Sequence, residues 1–154
     1  MIRVQREDFD IGAEIEALAG GRDDIGAVAS FVGITRADAG KDSGDTVTAM
    51  TLEHYPAMTE KQLADIEAQA RRRWNLTASL IVHRYGRLEP GDRIVLVVTA
   101  AAHRRAALDA CAFLIDWLKT KAPFWKREET ADGERWVAAR DADDRAAERW
   151  HSGS

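Results

Sequence analysis

The residues best suited to binding or catalysis lie between positions 119 and 127. Four cations and no acidic side chain occur there, in a chain of net charge -4. The cations surround a proline and two aromatic residues; in order these are Lys119, Lys121, Pro123, Phe124, Trp125, Lys126 and Arg127. Fixed cations beside apolar rings are typical of a partly dry pocket that binds an anion. A lysine against an aromatic wall is also partly desolvated, which makes its amine more reactive.

The alternative for this run is a solvated basic helix end, because the helix dipole favours cations near a C-terminus. The first two lysines suit that explanation, but Lys126 and Arg127 lie beyond Pro123, in a predicted strand. Alternation along the strand would place Lys126 with Phe124 on one face and Arg127 with Trp125 on the other. The run therefore favours an anion site over a plain helix end.

A second candidate anion site is the pair His103-Arg104, which stands where a predicted strand passes into a predicted helix. Free N–H groups at a helix start favour an anion, and an arginine adds a fork for phosphate or carboxylate. The alternative is a surface arginine and a histidine in a turn. Fifteen residues separate Arg104 from Lys119, which is about 22 Å of helix. Either there are two sites, or two chains combine opposite helix ends in a symmetric dimer.

Other polar residues are weaker candidates. Arg36 follows a predicted strand, and its alternative is a loop arginine in solvent. Glu53 and His54 are strand neighbours that face opposite sides, so we do not predict an acid–base pair. We expect His83 to be structural, in or beside a sheet, and Cys111 to belong to the core.

Hydrophobic periodicity predicts seven strands and four helices. The strands are 2–5, 26–33, 46–55, 79–85, 93–101, 124–130 and 134–138. The helices are 11–18, a segment opened by Pro56 whose apolar stripe ends at Trp74, 103–121 and 141–150. Because many strands are neighbours in sequence, antiparallel pairing is expected. The pattern predicts one α+β domain over residues 1–150 with a mostly antiparallel sheet, a C-terminal hairpin extension and a disordered tail at 151–154.

Local signals refine this outline. Thr59 and Gln62 match a capping box. Turns are predicted at residues 90–92 and at Asp132-Gly133, the second of which is a strong hairpin signal. The polar segment 35–45 is predicted to be a loop.

Composition excludes several classes of protein. The 154 residues include one cysteine, so no disulfide within the chain is possible. No Cys/His spacing indicates a metal site. The acidic net charge argues against broad nucleic-acid binding. The first residues lack the apolar stretch of a signal peptide, and the apolar run at 94–102 is too short to span a bilayer. A cytoplasmic protein that binds neither membrane nor nucleic acid is expected.

Several blocks together resemble the large, catalytic subunit of molybdopterin synthase. They are residues 52–61 (LEHYPAMTEK), Pro90-Gly91-Asp92, His103-Arg104, residues 118–128 (LKTKAPFWKRE), Arg135-Trp136-Val137 and Glu148-Arg149-Trp150. The resemblance covers nearly the whole chain in order and spacing, and APFWK with AHR upstream is its most specific part.

The resemblance implies a reaction, partners and a fold. That family installs two sulfurs in cyclic pyranopterin monophosphate and so forms the dithiolene of molybdopterin. The sulfur arrives as a thiocarboxylate on the C-terminus of a small ubiquitin-like subunit, whose tail inserts into the large subunit. The implied assembly is a heterotetramer around a central dimer of large subunits. The implied fold is α/β hammerhead-like, and no permanently bound cofactor or metal is implied.

The resemblance also assigns roles to particular residues. Lys119 is implied to be the catalytic lysine, with Lys126 as a second important lysine. The implied substrate-binding residues are Ile34, Thr35, Arg36, His103, Arg104, Lys119, Lys126, Arg127 and Glu128, with Phe31 lining the pocket and Arg140 reaching across the dimer. The main rival is a non-catalytic module that binds a phosphorylated small molecule. It would use His103, Arg104 and Arg36 equally well, but it would not need Lys119 and Lys126 as reactive amines. A scaffold that captures a partner's tail is a third possibility.

Overall fold

The computed structural model describes residues 1–37, 46–131, 133–137 and 141–151. In these ranges the strands are β1 (Ile2–Gln5), β2 (Ala27–Ile34), β3 (Val47–His54), β4 (Ala78–Arg84), β5 (Gly86–Leu88), β6 (Arg93–Ala101), β7 (Phe124–Thr130) and β8 (Gly133–Val137). The helices are α1 (Ile11–Ala19), α2 (Pro56–Trp74), α3 (Arg104–Thr120) and α4 (Asp141–Glu148). None of these helices is long and apolar enough to cross a bilayer.

The first sheet has the strand order β1-β4-β6-β2 and is buried on both faces. On one face Ile81 and Val97 pack with Leu114 of α3, in a cluster to which α2 also contributes. On the other face Leu80 and Val82 pack with residues that include α1. Burial on both faces explains why β4 and β6 read as continuous apolar runs rather than alternating ones.

The second sheet has the order β5-β3-β7-β8 and is antiparallel throughout. Strand β7 lies between β3 and β8, and its residues 126–130 have cross-strand neighbours on both sides, whereas Phe124 and Trp125 pair with β3 alone. Gly133 begins β8 with φ of 119°, a backbone angle that suits glycine. The α+β class, the mostly antiparallel pairing and the C-terminal hairpin are confirmed.

Three features differ from the sequence-based expectations. Strand β5 has only three residues and was not predicted. Strands β1 and β4 pair in parallel. The capping box at Thr59 and Gln62 is wrong, because Pro56 begins α2 three residues earlier and Thr59 is fully buried inside the helix. Proline suits a first helical position since its φ is already helical and its missing N–H would have no partner there.

The extent of the domain stays a prediction. Of the predicted tail at 151–154, only His151 lies within the described residues.

Candidate active site

The helix-to-strand connection from α3 to β7 sets the position of both candidate lysines. Lys119 is exposed on the last turn of α3, which closes with the Lys121 N–H donating to the Trp117 carbonyl at 2.8 Å. Pro123 follows, and the chain re-enters the second sheet at Phe124. Lys126, two residues further on, is half-buried. The two lysines therefore flank a short connection whose ends are both hydrogen-bonded.

Glu128 organises the inner face of β7. Its carboxylate is buried and lies 3.7 Å from the Lys126 Nζ and 3.3 Å from the Arg135 Nη2. The second contact follows from the register, which places Arg135 of β8 directly opposite Glu128. A buried carboxylate needs such partners, since an unpaired charge is costly away from water. The buried Glu128 carboxylate therefore orients the Lys126 side chain.

Arg127 lies on the opposite face of β7 from Lys126. Its guanidinium is 3.8 Å from the Glu53 carboxylate and 3.5 Å from that of Glu134, and it lies over the Trp136 ring. Trp125, on that same face, meets Tyr55 edge to face. The alternation predicted from the sequence matches these contacts. The strand thus separates Arg127, which holds the hairpin, from the lysine face.

A stack of rings lies beside the lysines. Phe124 lies 3.8 Å from His83 between ring centroids, with the planes 14° apart, and 5.7 Å from the ring of His54. His54 and Phe124 are register partners across β3 and β7. The pKa of His83 is lowered to about 4, mainly by burial and to a smaller extent by the nearby Lys119 charge. The Lys119 charge acts on His83, and Lys126 shares a face of β7 with Phe124, so both lysines adjoin this stack.

His83 itself is the residue whose place in the site the sequence did not reveal. The expectation that it lies in a sheet is confirmed, since it belongs to β4 and is buried. Its contact with Phe124 joins positions 41 residues apart in the chain. The sequence of β4, an apolar strand with one histidine, does not predict this contact.

Lys121 separates from the other cations. Its Nζ lies 3.1 Å from the His151 Nε2 in a cleft of about 600 Å³ between α2, α3 and α4. Two residues along a helix are about 200° apart, so Lys119 and Lys121 leave α3 in different directions. The cationic run is thus two groups rather than one.

His103 and Arg104 lie at the opposite end of α3. His103 is the residue before the helix, and both side chains are exposed. Within the described part of the chain, neither has a side-chain hydrogen bond or ion pair. The fifteen residues to Lys119 correspond to about 22 Å of helix. One chain does not bring the two ends of α3 together at a single small ligand.

The third group of candidate residues follows β2. Thr35 is buried and held through its backbone, since its N–H donates to the Asp92 carbonyl and its carbonyl accepts from Gly91. Ile34 is 54% exposed, after an irregularity in the pairing of β2 with β6. Arg36 is exposed. The predicted turn at 90–92 therefore anchors the start of this segment.

Two further candidates are placed differently. Phe31 is half-buried and packs against the core cluster beneath α3. Arg140 lies outside the described residues.

The chain's thiol and metal-binding potential bear on the chemistry. Burial raises the pKa of Cys111 to about 11, a shift that its contact with Thr99 only partly opposes. The thiol is therefore protonated and a poor nucleophile near neutral pH. Within the described ranges, no group of three or more His, Cys, Asp or Glu side chains is placed to hold a metal ion. Amines and guanidinium groups are the functional groups that the described site offers.

Fold and site together define an α+β protein with lysines beside a ring stack and a second cationic group at the far end of the same helix. The chain belongs to the MoaE family, described as "MoaE protein", which matches residues 4–121.

Relatives in that family carry one recurring name. The chain is 57% identical over 149 residues to the molybdopterin synthase catalytic subunit of Ralstonia nicotianae, covering 97% of this chain and 83% of that protein. It is 54% identical over 149 residues to the protein of the same name from Pseudomonas aeruginosa, covering 97% of each. The solved structure of the molybdopterin biosynthesis MoaE protein from Burkholderia ambifaria superposes with a TM-score of 0.82, at 53% identity over 99% of each chain.

Proposed function

We propose that this chain is the catalytic subunit of molybdopterin synthase, a sulfurtransferase. It transfers sulfur from the C-terminal thiocarboxylate of a small ubiquitin-like subunit to cyclic pyranopterin monophosphate and forms the dithiolene of molybdopterin. Family membership and the names of relatives at 54–57% identity support this function. The name "catalytic subunit" itself implies at least one further subunit. The cytoplasm is the proposed location.

The observation that carries the proposal is that Lys119 and Lys126 both adjoin the stack of His83 on Phe124. The Lys119 charge acts on His83, whose ring stacks on Phe124. Lys126 lies two residues along the same strand face from Phe124. A phosphorylated pterin and a thiocarboxylate are both anions, so they repel each other unless fixed cations stand between them. Cations positioned in advance lower this repulsion without reorganising during the reaction.

The two lysines have different surroundings, which suits different roles. Lys126 is half-buried and steered by Glu128, so it holds the donor and acceptor in place. Lys119 is exposed, with its amine accessible to the incoming tail of the partner. It either stabilises the leaving oxygen or forms a transient covalent link. In the second case, once the partner's sulfur is bonded to the pterin, the amine attacks the partner's acyl carbon, the bond from that carbon to sulfur breaks with the sulfur left on the pterin, and water then hydrolyses the resulting amide.

The length of α3 supports a dimer at the centre of the assembly. His103 and Arg104 supply cations suited to the substrate phosphate, but they lie about 22 Å from Lys119 along the helix. In the proposed dimer, one chain offers His103 and Arg104 while the other offers both lysines. Arg36 and the backbone at Ile34 and Thr35 complete the pterin site, and each large subunit binds one small subunit.

The proposed function is tested by reconstitution with purified components. The chain is mixed with the thiocarboxylated small subunit and cyclic pyranopterin monophosphate, and the dithiolene product is measured. Lys119→Ala should lower turnover by about 1,000-fold or more while substrate affinity changes little, because the lost interaction belongs to the transition state.

Lys121→Ala is the matched control, since it removes a lysine from the same helix end on the side of the cleft with His151. It should retain turnover. Absence of product with the wild-type chain, despite tight pterin binding, would favour the binding-module alternative. Equal losses in both lysine variants would remove Lys119 from the chemistry.

A further inference from the structure

A column of side chains joins the two sheets at the proposed site. Arg6 lies 4.7 Å over the Tyr85 ring, Tyr85 lies 4.4 Å from His54, and Phe124 continues the column to His83. His83 belongs to the first sheet, whereas His54 and Phe124 belong to the second. The contact between His83 and Phe124 is the shortest and most nearly parallel of the ring contacts in the column. The column therefore fixes how the two sheets meet.

The His83 ring is held in one orientation and one protonation state. Its Nδ1 lies 2.8 Å from the Arg84 carbonyl oxygen. Because a carbonyl only accepts, Nδ1 carries the proton of the neutral ring. A second proton would create a buried cation close to Lys119 and His54, the two charged or titratable side chains that act on it. The ring is thus an uncharged, flat and oriented platform.

Phe124 transmits this orientation to the proposed chemistry. It is the first residue of β7, directly after Pro123 and two residues before Lys126. A ring locked at that point determines where β7 begins relative to the end of α3, and hence how Lys126 lies relative to Lys119. Misplacing a reacting group by about 1 Å costs about 100-fold in rate.

We propose that His83 is a positioning residue, which sets the relation between Lys126 and Lys119 by stacking against Phe124. The predicted effect of His83 on the rate of sulfur transfer rests on the proposed function, whereas its predicted effect on the position of β7 does not. His83 acts through Phe124 and contributes no proton to the reaction.

The test compares three variants in the reconstituted assay. His83→Ala removes the platform, His83→Phe keeps a flat ring, and Val82→Ala is the control. Val82 is the fully buried neighbour on β4 whose side chain packs on the opposite face, in the cluster with α1. With all proteins shown to be folded, His83→Ala should lower kcat by about 10- to 100-fold and change KM for the pterin by less than about 3-fold.

His83→Phe should recover kcat to within about 5-fold of wild type, and Val82→Ala should keep it. A kcat loss in His83→Ala no larger than that in Val82→Ala would overturn the proposal. So would a His83→Phe variant as slow as His83→Ala.

A second measurement separates this proposal from the proposed function and covers a His83→Ala variant that folds poorly. Hydrogen exchange of the amides at 124–127 is followed in His83→Phe, His83→Ala and Val82→Ala. Of these three variants, only His83→Ala should show faster exchange at 124–127 relative to the rest of β7. A fourth variant, Phe124→Leu, should show the same pattern. Wild-type protein without sulfur transfer would defeat the proposed function alone, whereas unchanged exchange at 124–127 in both His83→Ala and Phe124→Leu would defeat the positioning role.

Discussion

The two ends of α3 are built differently although both carry candidate functional cations. At the C-terminal end, Lys119 adjoins a hydrogen-bonded turn, a ring stack and a strand on which Glu128 steers Lys126. At the N-terminal end, His103 and Arg104 are exposed and, in the described chain, have no side-chain partner. One end is preorganised within a single chain, and the other presents cations outward. This difference is what the proposed dimer predicts, since in that dimer the second half of the site comes from another copy of the chain.

Mixing two inactive variants gives the strongest test of that difference. Arg104→Ala and Lys119→Ala should each be nearly inactive alone. Mixed and re-equilibrated in equal amounts, they should recover about a quarter of wild-type activity, since half of the dimers are mixed and each mixed dimer has one intact site. Reconstituted turnover measures this recovery.

The control for that experiment mixes two variants of the same end, Lys119→Ala with Lys126→Ala. These share the defective half of the site and should not complement each other. Absence of complementation in the first mixture would mean that each chain holds a whole site, whereas complementation here would mean that the Lys119 and Lys126 of one site come from different chains.

Replacing the carboxylate behind Lys126 should weaken the preorganised end. Glu128→Gln removes the counter-charge of Lys126 and Arg135, whose side chains are 38% and 36% exposed, so the free energy of unfolding should fall by about 1.5 kcal/mol. The same change should lower turnover at saturating substrate, because Lys126 loses its orientation. Urea unfolding and the reconstituted assay measure the two effects.

Glu129→Gln is the neighbouring control, since Glu129 pairs with exposed Arg87 on the outer face of β7. Its effect on stability should be much smaller, as expected for a surface pair. Similar losses of stability in the two variants would contradict the conclusion that Glu128 acts as a buried counter-charge for Lys126 and Arg135.

The smallest effect concerns the pH dependence of stability through His83. Its folded-state pKa of about 4 lies below the ordinary value of 6.5, so the unfolded chain binds the proton first as pH falls. Stability from this group is complete above pH ~6.5 and is lost as pH falls towards ~4, amounting to about 1 kcal/mol by pH ~5.5. Urea unfolding between pH 7 and 5 should show this loss in the wild type and not in His83→Phe. Parallel pH profiles for the two proteins would mean that another group governs the change.

The sequence predicted the fold where local patterns are strong. The apolar runs of β4 and β6, the stripe of α2 and the Asp132-Gly133 signal before β8 each led to the correct element. Strand β5 escaped because three residues carry no periodicity. The capping box at Thr59 failed because Pro56 fixes the helix start more strongly than a side-chain match does.

The candidate site was predictable only in part for a related reason. Lys119 and Lys126 belong to a short run whose composition alone marks it as a candidate site. The angle of about 200° between Lys119 and Lys121 on a helix already predicts that these two side chains point in different directions. The stack of His83 on Phe124 depends on how two sheets meet, which no local pattern encodes. The pairing of Glu128 with Arg135 depends on the register of β8, which the hairpin turn sets.

The burial of Cys111 has a consequence for a protein proposed to handle activated sulfur. A thiolate near such a site would attack the acyl carbon of the thiocarboxylate, forming a thioester to the protein and releasing hydrosulfide, so the sulfur would be lost to the reaction. The chain has one cysteine, and it lies within the apolar core with its thiol pKa raised to about 11. The thiol of this protein should therefore not react with the sulfur that the protein is proposed to transfer, and the rate of sulfur transfer should depend on the supply of thiocarboxylated partner.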